Sequence, residues 1–81
     1  MTPQDIRAAF LEELTHIAPD LDAATIADTD HIQDDLQIDS MDFLRLVSAL
    51  HVRLGVDIPE SDYRHLATPH SAVAYLQGRL A

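Results

Sequence analysis

The stretch LQIDSMDFLRLV, residues 36–47, marks the point where a long polar segment gives way to a helical pattern. Serine is favoured at a helix amino terminus, because its side-chain oxygen accepts a hydrogen bond from an unpaired backbone amide. The apolar residues that follow Ser40 recur at three- and four-residue spacing, which is typical of an amphipathic helix. We therefore expect Ser40 to cap a helix that runs from about Ser40 to Leu54.

The apolar spacing of this helix predicts which side faces the core. The predicted stripe consists of Met41, Leu44, Val47, Leu50 and Leu54. Gly55 stands after the last turn, where a left-handed residue is common, and Arg53 suits the negative end of the helix dipole.

A first helix is predicted near the amino terminus, where Thr2 and Asp5 have the spacing of a capping box. Pro3 suits the first helical position, and Pro19 ends the helix. The apolar stripe of this helix is Ile6, Phe10, Leu14 and Ile17.

Two further helices are predicted after Gly55. SDYRHLA, residues 61–67, allows one short helix with Tyr63 and Leu66 facing inward. Thr68 and Pro69 repeat the signal of a cap followed by proline and open a final helix. Its predicted apolar face is Val73, Leu76 and Leu80, with Ala72 and Tyr75 beside it. Three main helices and a short one, without alternating strand patterns, predict an all-α four-helix bundle in a single domain, residues 1–81.

The segment between the first two long helices, residues 18–39, has no sustained helical period. A loop of this length is unusual in a small domain. Its aliphatic residues are Leu21, Ile26, Ile32, Leu36 and Ile38. We expect these side chains to pin the loop across the bundle.

Charge and composition exclude several classes of function. The chain has 14 acidic and five basic residues, all five of them arginine, and a formal net charge of -9. Such a surface repels nucleic acid and anionic membranes, so we expect neither as a partner.

The absence of cysteine excludes disulfides and thiolate metal sites. The sequence shows no membrane-spanning run and no signal-peptide profile, and a cytoplasmic monomer is expected.

Ser40 has no features of a catalytic nucleophile. A serine nucleophile needs a base oriented by a third group, and the nearest histidine in the same helix, His51, would lie three turns away. The positive end of a helix does suit a phosphate ester on the serine oxygen. We therefore expect no catalytic residue, and two roles remain open for Ser40: a plain helix cap, or a site for a phosphate-linked group.

The residues from Asp34 to Tyr63 resemble the centre of an acyl carrier protein. The family pattern has a leucine, a short gap, Asp-Ser-Leu at the start of the second helix, an aliphatic stripe, and an acidic residue before Ile-Pro. The matching residues are Leu36, Asp39, Ser40, Met41, Leu44, Val47, Leu50, Asp57, Ile58 and Pro59. The resemblance extends through TPHSAVAYL, residues 68–76, and so covers essentially the whole chain.

This resemblance implies a carrier rather than an enzyme. It implies that 4'-phosphopantetheine, taken from coenzyme A by a phosphopantetheinyl transferase, is attached to Ser40, and that Asp39 belongs to the motif read by the transferase. The thiol of the arm would carry acyl groups as thioesters to acyl-loading and acyl-transfer enzymes of fatty-acid, lipid or polyketide-type synthesis. An apolar cleft among Leu44, Val47 and Leu66 would shelter the acyl chain. Two alternatives to an acyl carrier remain. One is an aminoacyl or peptidyl carrier, and the other is an unmodified acidic module that binds a basic partner.

Departures from the family pattern suggest a specialised carrier. In family members that serve fatty-acid synthesis, the second helix is rich in glutamate and docks on basic surfaces. Here residues 42–54 contain one acid and two arginines, Arg45 and Arg53, and the remaining residues sum to -10. The predicted partner-binding residues are Met41, Asp42, Phe43, Arg45 and Asp35. Phe43 is either an exposed contact beside the arm or a partly buried core residue.

No metal site is expected. DTDHIQDDLQID, residues 28–39, places acids at four positions of a calcium-loop register. Ile32 and Gln33 occupy the positions that need a ligand and a glycine, so a dedicated calcium site is not predicted.

Overall fold

The computed structural model describes residues 1–80 and contains helices and turns, without β-strands in that range. The long helices are α1 (Pro3–Ile17), α2 (Ser40–Leu54) and α3 (Pro69–Leu80). A 3-10 turn, Ala23–Thr25, lies in the loop after α1, and a short 3-10 helix, Glu60–Leu66, precedes α3. The predicted all-α architecture is confirmed. None of the helices within residues 1–80 is long and apolar enough to cross a membrane.

Helix α1 begins with the predicted capping box. The amide of Asp5 donates to the hydroxyl of Thr2, and the carboxylate of Asp5 accepts from the amide of Thr2, both at 3.1 Å. Hydrogen bonding of the Asp5 carboxylate to Thr2, first of all to its backbone amide, lowers the pKa of Asp5. The side chains of Ile6, Phe10 and Leu14 are fully enclosed, as their spacing predicts. The helix therefore supplies one wall of the core, and it packs against both α2 and α3.

The core-facing side of α2 differs from the prediction. Its buried residues are Phe43, Leu46, Val47 and Leu50, whereas Met41 and Leu44 are 68% and 50% exposed. A series of residues three apart rotates around a helix, so Met41 and Leu50 lie about 180° from each other. Each buried side chain contributes about 1.5–3 kcal/mol, which exceeds the roughly 1 kcal/mol of a helix cap. Burial of these four side chains therefore sets the rotation of α2.

The short 3-10 helix and α3 close the other side of the core. Leu66 is fully enclosed and Tyr63 is half-buried, as predicted. The buried face of α3 consists of Pro69, Ala72 and Leu76. Val73 is only half-buried and Leu80 is 37% exposed, so the predicted face of α3 was centred too far toward its carboxyl end.

The long loop between α1 and α2 is held by buried side chains and by two backbone hydrogen bonds. Ile26, Ile32 and Ile38 are buried, which confirms the predicted pinning. The amide of Ile32 donates to the carbonyl of Ala67 at 2.9 Å, and the amide of His70 donates to the carbonyl of Asp28 at 3.1 Å. The loop is thereby tied to the segment that starts α3, and its last residues lead into α2 from a fixed position.

Within residues 1–80, two residues have a left-handed backbone, and substitution of the two should have opposite effects on stability. Gly55, at φ 67°, ends α2, and Gln37, at φ 59°, precedes Asp39 by two residues. A residue with a side chain costs roughly 1–2 kcal/mol in this region of the backbone map. Glycine avoids this cost but loses more conformational entropy on folding, so its net advantage is smaller. We expect Gly55→Ala to lower the free energy of unfolding by about 1 kcal/mol and Gln37→Gly to leave it unchanged or raise it by up to about 1 kcal/mol. Urea denaturation measures both, and a clear loss of stability in Gln37→Gly would contradict the assigned backbone.

The environment of Tyr75 predicts that the free energy of unfolding falls at alkaline pH. Its hydroxyl donates to the carboxylate of Asp62 at 2.7 Å, and its ring stacks on His65. Burial, followed by the hydrogen bond to Asp62, raises the pKa of Tyr75 above its ordinary value of 10.0. Between these two values the folded chain keeps a proton that the unfolded chain has lost, so stability falls as pH rises above about 10. Urea midpoints between pH 8 and 11 should show this decline, and Tyr75→Phe should show less of it; equal slopes would contradict the assignment.

Candidate functional site

The amino terminus of α2 is capped by Asp39 rather than by Ser40. Asp39 has an extended backbone, and its carboxylate accepts a hydrogen bond from the amide of Asp42 at 2.8 Å. The carbonyl of Asp39 accepts the first intrahelical bond, from the amide of Phe43. Ser40 is therefore the first residue of the helix, and the prediction that it is the cap was wrong. Two adjacent residues of capping type made the choice between them ambiguous in the sequence.

Ser40 is exposed at the positive end of the α2 dipole. Because Asp39 makes the cap, the Ser40 hydroxyl is not required for it. The amides of Ser40 and Met41 precede the first intrahelical bond and have no helical acceptor. Such amides and the helix dipole together favour an anionic group. The position can thus accommodate a phosphate ester on the serine oxygen.

Buried residues on both sides hold Ser40 in place. Ile38 is 5% exposed, and its amide donates to the carbonyl of Ile32 at 3.1 Å. Phe43 is 7% exposed and meets Tyr63 edge-to-face, with ring centroids 5.7 Å apart. The intervening residues 39–42 are presented at the surface between these two anchors. An exposed hydroxyl is consequently carried on a rigid support.

The predicted partner-binding residues differ in their accessibility. Met41 is exposed, and Arg45 is exposed while its guanidinium lies 3.3 Å from the carboxylate of Asp42. The carboxylate of Asp35 is exposed and accepts a hydrogen bond from the amide of His31 at 2.7 Å. Phe43 belongs to the core, so of its two interpretations the structure supports the buried one. Its ring is not available to a partner.

The residues of the predicted acyl cleft do not share one environment. Val47 and Leu66 are buried in the core, whereas Leu44 is half-exposed on the outer side of α2. Val47 instead lines a shallow hollow of about 490 Å³ between the second half of α2 and the turn that follows it. The other residues that line this hollow are Ser48, His51, Val52, Asp57, Ile58, Pro59 and Arg79. Shelter of an acyl chain among Leu44, Val47 and Leu66 stays a prediction.

The outer face of α2 was not identified from the sequence. Met41, Leu44 and Val52 are three of the five large apolar side chains that are most exposed in residues 1–80. The signal was present, since Met41, Ser48 and Val52 have the spacing of one helix face. It was masked because a second apolar set, that of the core, interleaves with it.

Comparison with known proteins gives one family and a consistent set of relatives. Residues 4–76 match the sequence model of a protein family, which is described as "phosphopantetheine attachment site". An acyl carrier protein of Campylobacter hominis is 31% identical over 74 residues, which are 91% of this chain and 87% of the relative. An acyl carrier protein of Micrococcus luteus is 32% identical over 73 residues, 90% of each chain. An acyl carrier protein of Campylobacter jejuni is 32% identical over 75 residues, 93% of this chain and 91% of the relative.

The contributions of Asp39 to stability through its capping hydrogen bond and through its negative charge can be tested separately. Asp39→Ala removes the acceptor for the amide of Asp42 and should lower the free energy of unfolding by about 1 kcal/mol. Asp39→Asn keeps a good capping residue and should lose less than half of that amount. Urea unfolding of the two variants measures the difference. Equal losses in both would show that the charge of Asp39, rather than its hydrogen bond, stabilises the start of α2.

Proposed function

The chain belongs to the phosphopantetheine-attachment family, and from this premise we propose that it acts as an acyl carrier protein with Ser40 as the attachment residue. Its cofactor is 4'-phosphopantetheine, and its role is that of a carrier rather than an enzyme. The observation that carries the proposal is the exposed Ser40 at the start of α2, directly after the capping Asp39.

The choice of Ser40 is supported by the surroundings of the other serines. The hydroxyl of Ser71 donates to the carbonyl of His65 at 2.7 Å and takes part in the turn before α3. Ser48 lies in the middle of α2, and Ser61 lies in the short 3-10 helix. Neither position offers the amides and the positive dipole that accompany the first residue of a long helix. Ser40 therefore suits a phosphodiester best.

Attachment is a phosphoryl transfer in which Ser40 is the acceptor. The oxygen of Ser40 would form a bond to the phosphorus that carries the pantetheine arm in coenzyme A, while the pyrophosphate P–O bond to the adenosine part breaks and the serine proton passes to a base of the transferase. Adenosine 3',5'-bisphosphate leaves. The first turn of α2 would stabilise the negative charge of the diester through its amides and dipole, and Asp39 caps the helix terminus. When bound, the group supplies a thiol on which acyl cargo is held as a thioester, in a chain that has no cysteine.

As its specific role, we propose that the chain carries acyl groups in fatty-acid, lipid or polyketide-type synthesis. The partners are a phosphopantetheinyl transferase and acyl-handling enzymes that approach the start of α2. Met41, Asp42 and Arg45 lie on the helix beside Ser40, and Asp35 lies in the preceding loop. Residues 42–54 carry a formal charge of +1 in a chain of charge -9. This distribution supports a carrier with dedicated partner enzymes.

The proposal predicts a single modification that depends on Ser40. Incubation of the apo protein with coenzyme A, Mg²⁺ and a broad-specificity phosphopantetheinyl transferase should add the mass of one phosphopantetheine group. Ser40→Ala should gain no mass, while Ser48→Ala, an exposed serine on the same helix, should be modified like the unaltered chain. Intact mass spectrometry measures all three. No gain in the unaltered chain would overturn the carrier function and leave the unmodified interaction module; a gain in Ser40→Ala would move the attachment site.

A further inference from the structure

The outward side of α2 carries a continuous stripe of solvent-exposed residues. Its members, at successive turns of the helix, are Met41, Leu44, Arg45, Ser48 and Val52. Met41, Leu44 and Val52 are 68%, 50% and 82% exposed, although each is a large apolar side chain. The stripe begins one residue after Ser40 and extends about 17 Å along the helix. Three exposed large apolar side chains on one helix face, interrupted only by Arg45 and Ser48, are typical of a site of protein interaction.

The stripe leads into the hollow beside the second half of α2. Val52 contributes to both, and Ile58 and Pro59 form the opposite wall of the hollow. The guanidinium of Arg79 donates to the carbonyl of Asp57 at 2.9 Å, which helps to hold this wall in position. The surface therefore combines an apolar ridge near Ser40 with an apolar recess farther along the helix.

The charges on this surface are balanced, in contrast to those of the whole chain. Its two carboxylates, Asp42 and Asp57, lie 3.3 Å from Arg45 and from the ring nitrogen Nδ1 of His51, respectively. Arg53 extends to the other side and pairs with Glu12 of α1 at 2.7 Å. Arg45 and Arg79 formally offset Asp42 and Asp57, so from Met41 onward this surface adds nothing to the net charge of -9, and the nearest unbalanced acids, Asp35 and Asp39, lie before Ser40. A strongly basic partner surface that docks on the stripe would face Arg45, whose side chain is 67% exposed.

We propose that this stripe docks an acyl-handling enzyme whose contact surface is apolar and presents a carboxylate to Arg45. The proposal rests on the proposed function, because the partner must reach the arm on Ser40. Met41 and Leu44 contact the partner near the entrance to its active site, where the arm on Ser40 enters. An apolar side chain of the partner occupies the recess between Val52 and Ile58. Hydrophobic burial supplies the affinity, and Arg45 selects against basic surfaces.

Cross-linking to condensing enzymes of defined surface charge tests this proposal. The holo protein receives a pantetheine arm with a thiol-reactive end group, and intact mass confirms loading. It is then reacted with a condensing enzyme whose docking surface is basic, and with a variant of that enzyme in which the docking lysines and arginines are replaced by glutamate. We expect faster cross-linking to the charge-reversed enzyme. Arg45→Glu should lower the ratio of the two rates at least fivefold. A ratio below one, or a ratio that Arg45→Glu leaves unchanged, would overturn the proposal.

The apolar part of the stripe is tested with a matched pair of variants. Met41→Gln with Leu44→Gln should slow cross-linking to the charge-reversed enzyme at least fivefold, with an unchanged urea midpoint because both side chains are exposed. Leu80→Gln, an exposed apolar residue on α3, is the control and should react like the unaltered chain. Equal rates in the double variant and the control would contradict docking at this stripe. Failure to load the arm would instead contradict the proposed function, and the mass measurement separates the two outcomes.

Discussion

Burial of one face of α2 determines which side chains next to Ser40 point toward solvent. Phe43, Leu46, Val47 and Leu50 enter the core and meet α1 and the segment before α3. At about 1.5–3 kcal/mol each, these four side chains outweigh any single cap or surface ion pair. The rotation that buries them also turns Met41, Leu44 and Val52 outward. The core and the exposed stripe are therefore two consequences of the same packing.

The same constraint accounts for the presentation of Ser40. Ile38 anchors the loop on one side and Phe43 anchors the helix on the other, so only residues 39–42 remain at the surface between them. Within this short stretch Asp39 satisfies the amide of Asp42, which leaves the serine hydroxyl free of a capping role. A rigid helix start with an exposed hydroxyl is what a covalently attached, flexible arm requires: the support is fixed while the arm moves.

The order of the helices, the capping box of α1 and the pinned loop could be predicted from the sequence, because proline, capping residues and isolated aliphatic side chains act locally. The rotation of α2 could not. Nine of its 15 residues are apolar, and two stripes overlap within it, so spacing alone did not distinguish Met41 and Leu44 from Phe43 and Leu46. Packing against α1 and Tyr63 makes that distinction. The cap was ambiguous for a similar reason, since Asp39 and Ser40 are both capping residues and only the entry path of the chain selects between them.

The proposed function places the arm on Ser40, at the start of α2, and on no other serine. Tandem mass spectrometry of proteolytic peptides from the enzymatically loaded protein locates the phosphodiester among Ser40, Ser48, Ser61 and Ser71. We expect all of the pantetheine-bearing fragments to include Ser40 and the peptides that contain the other three serines to be unmodified. A phosphodiester on Ser48, Ser61 or Ser71 would contradict this placement.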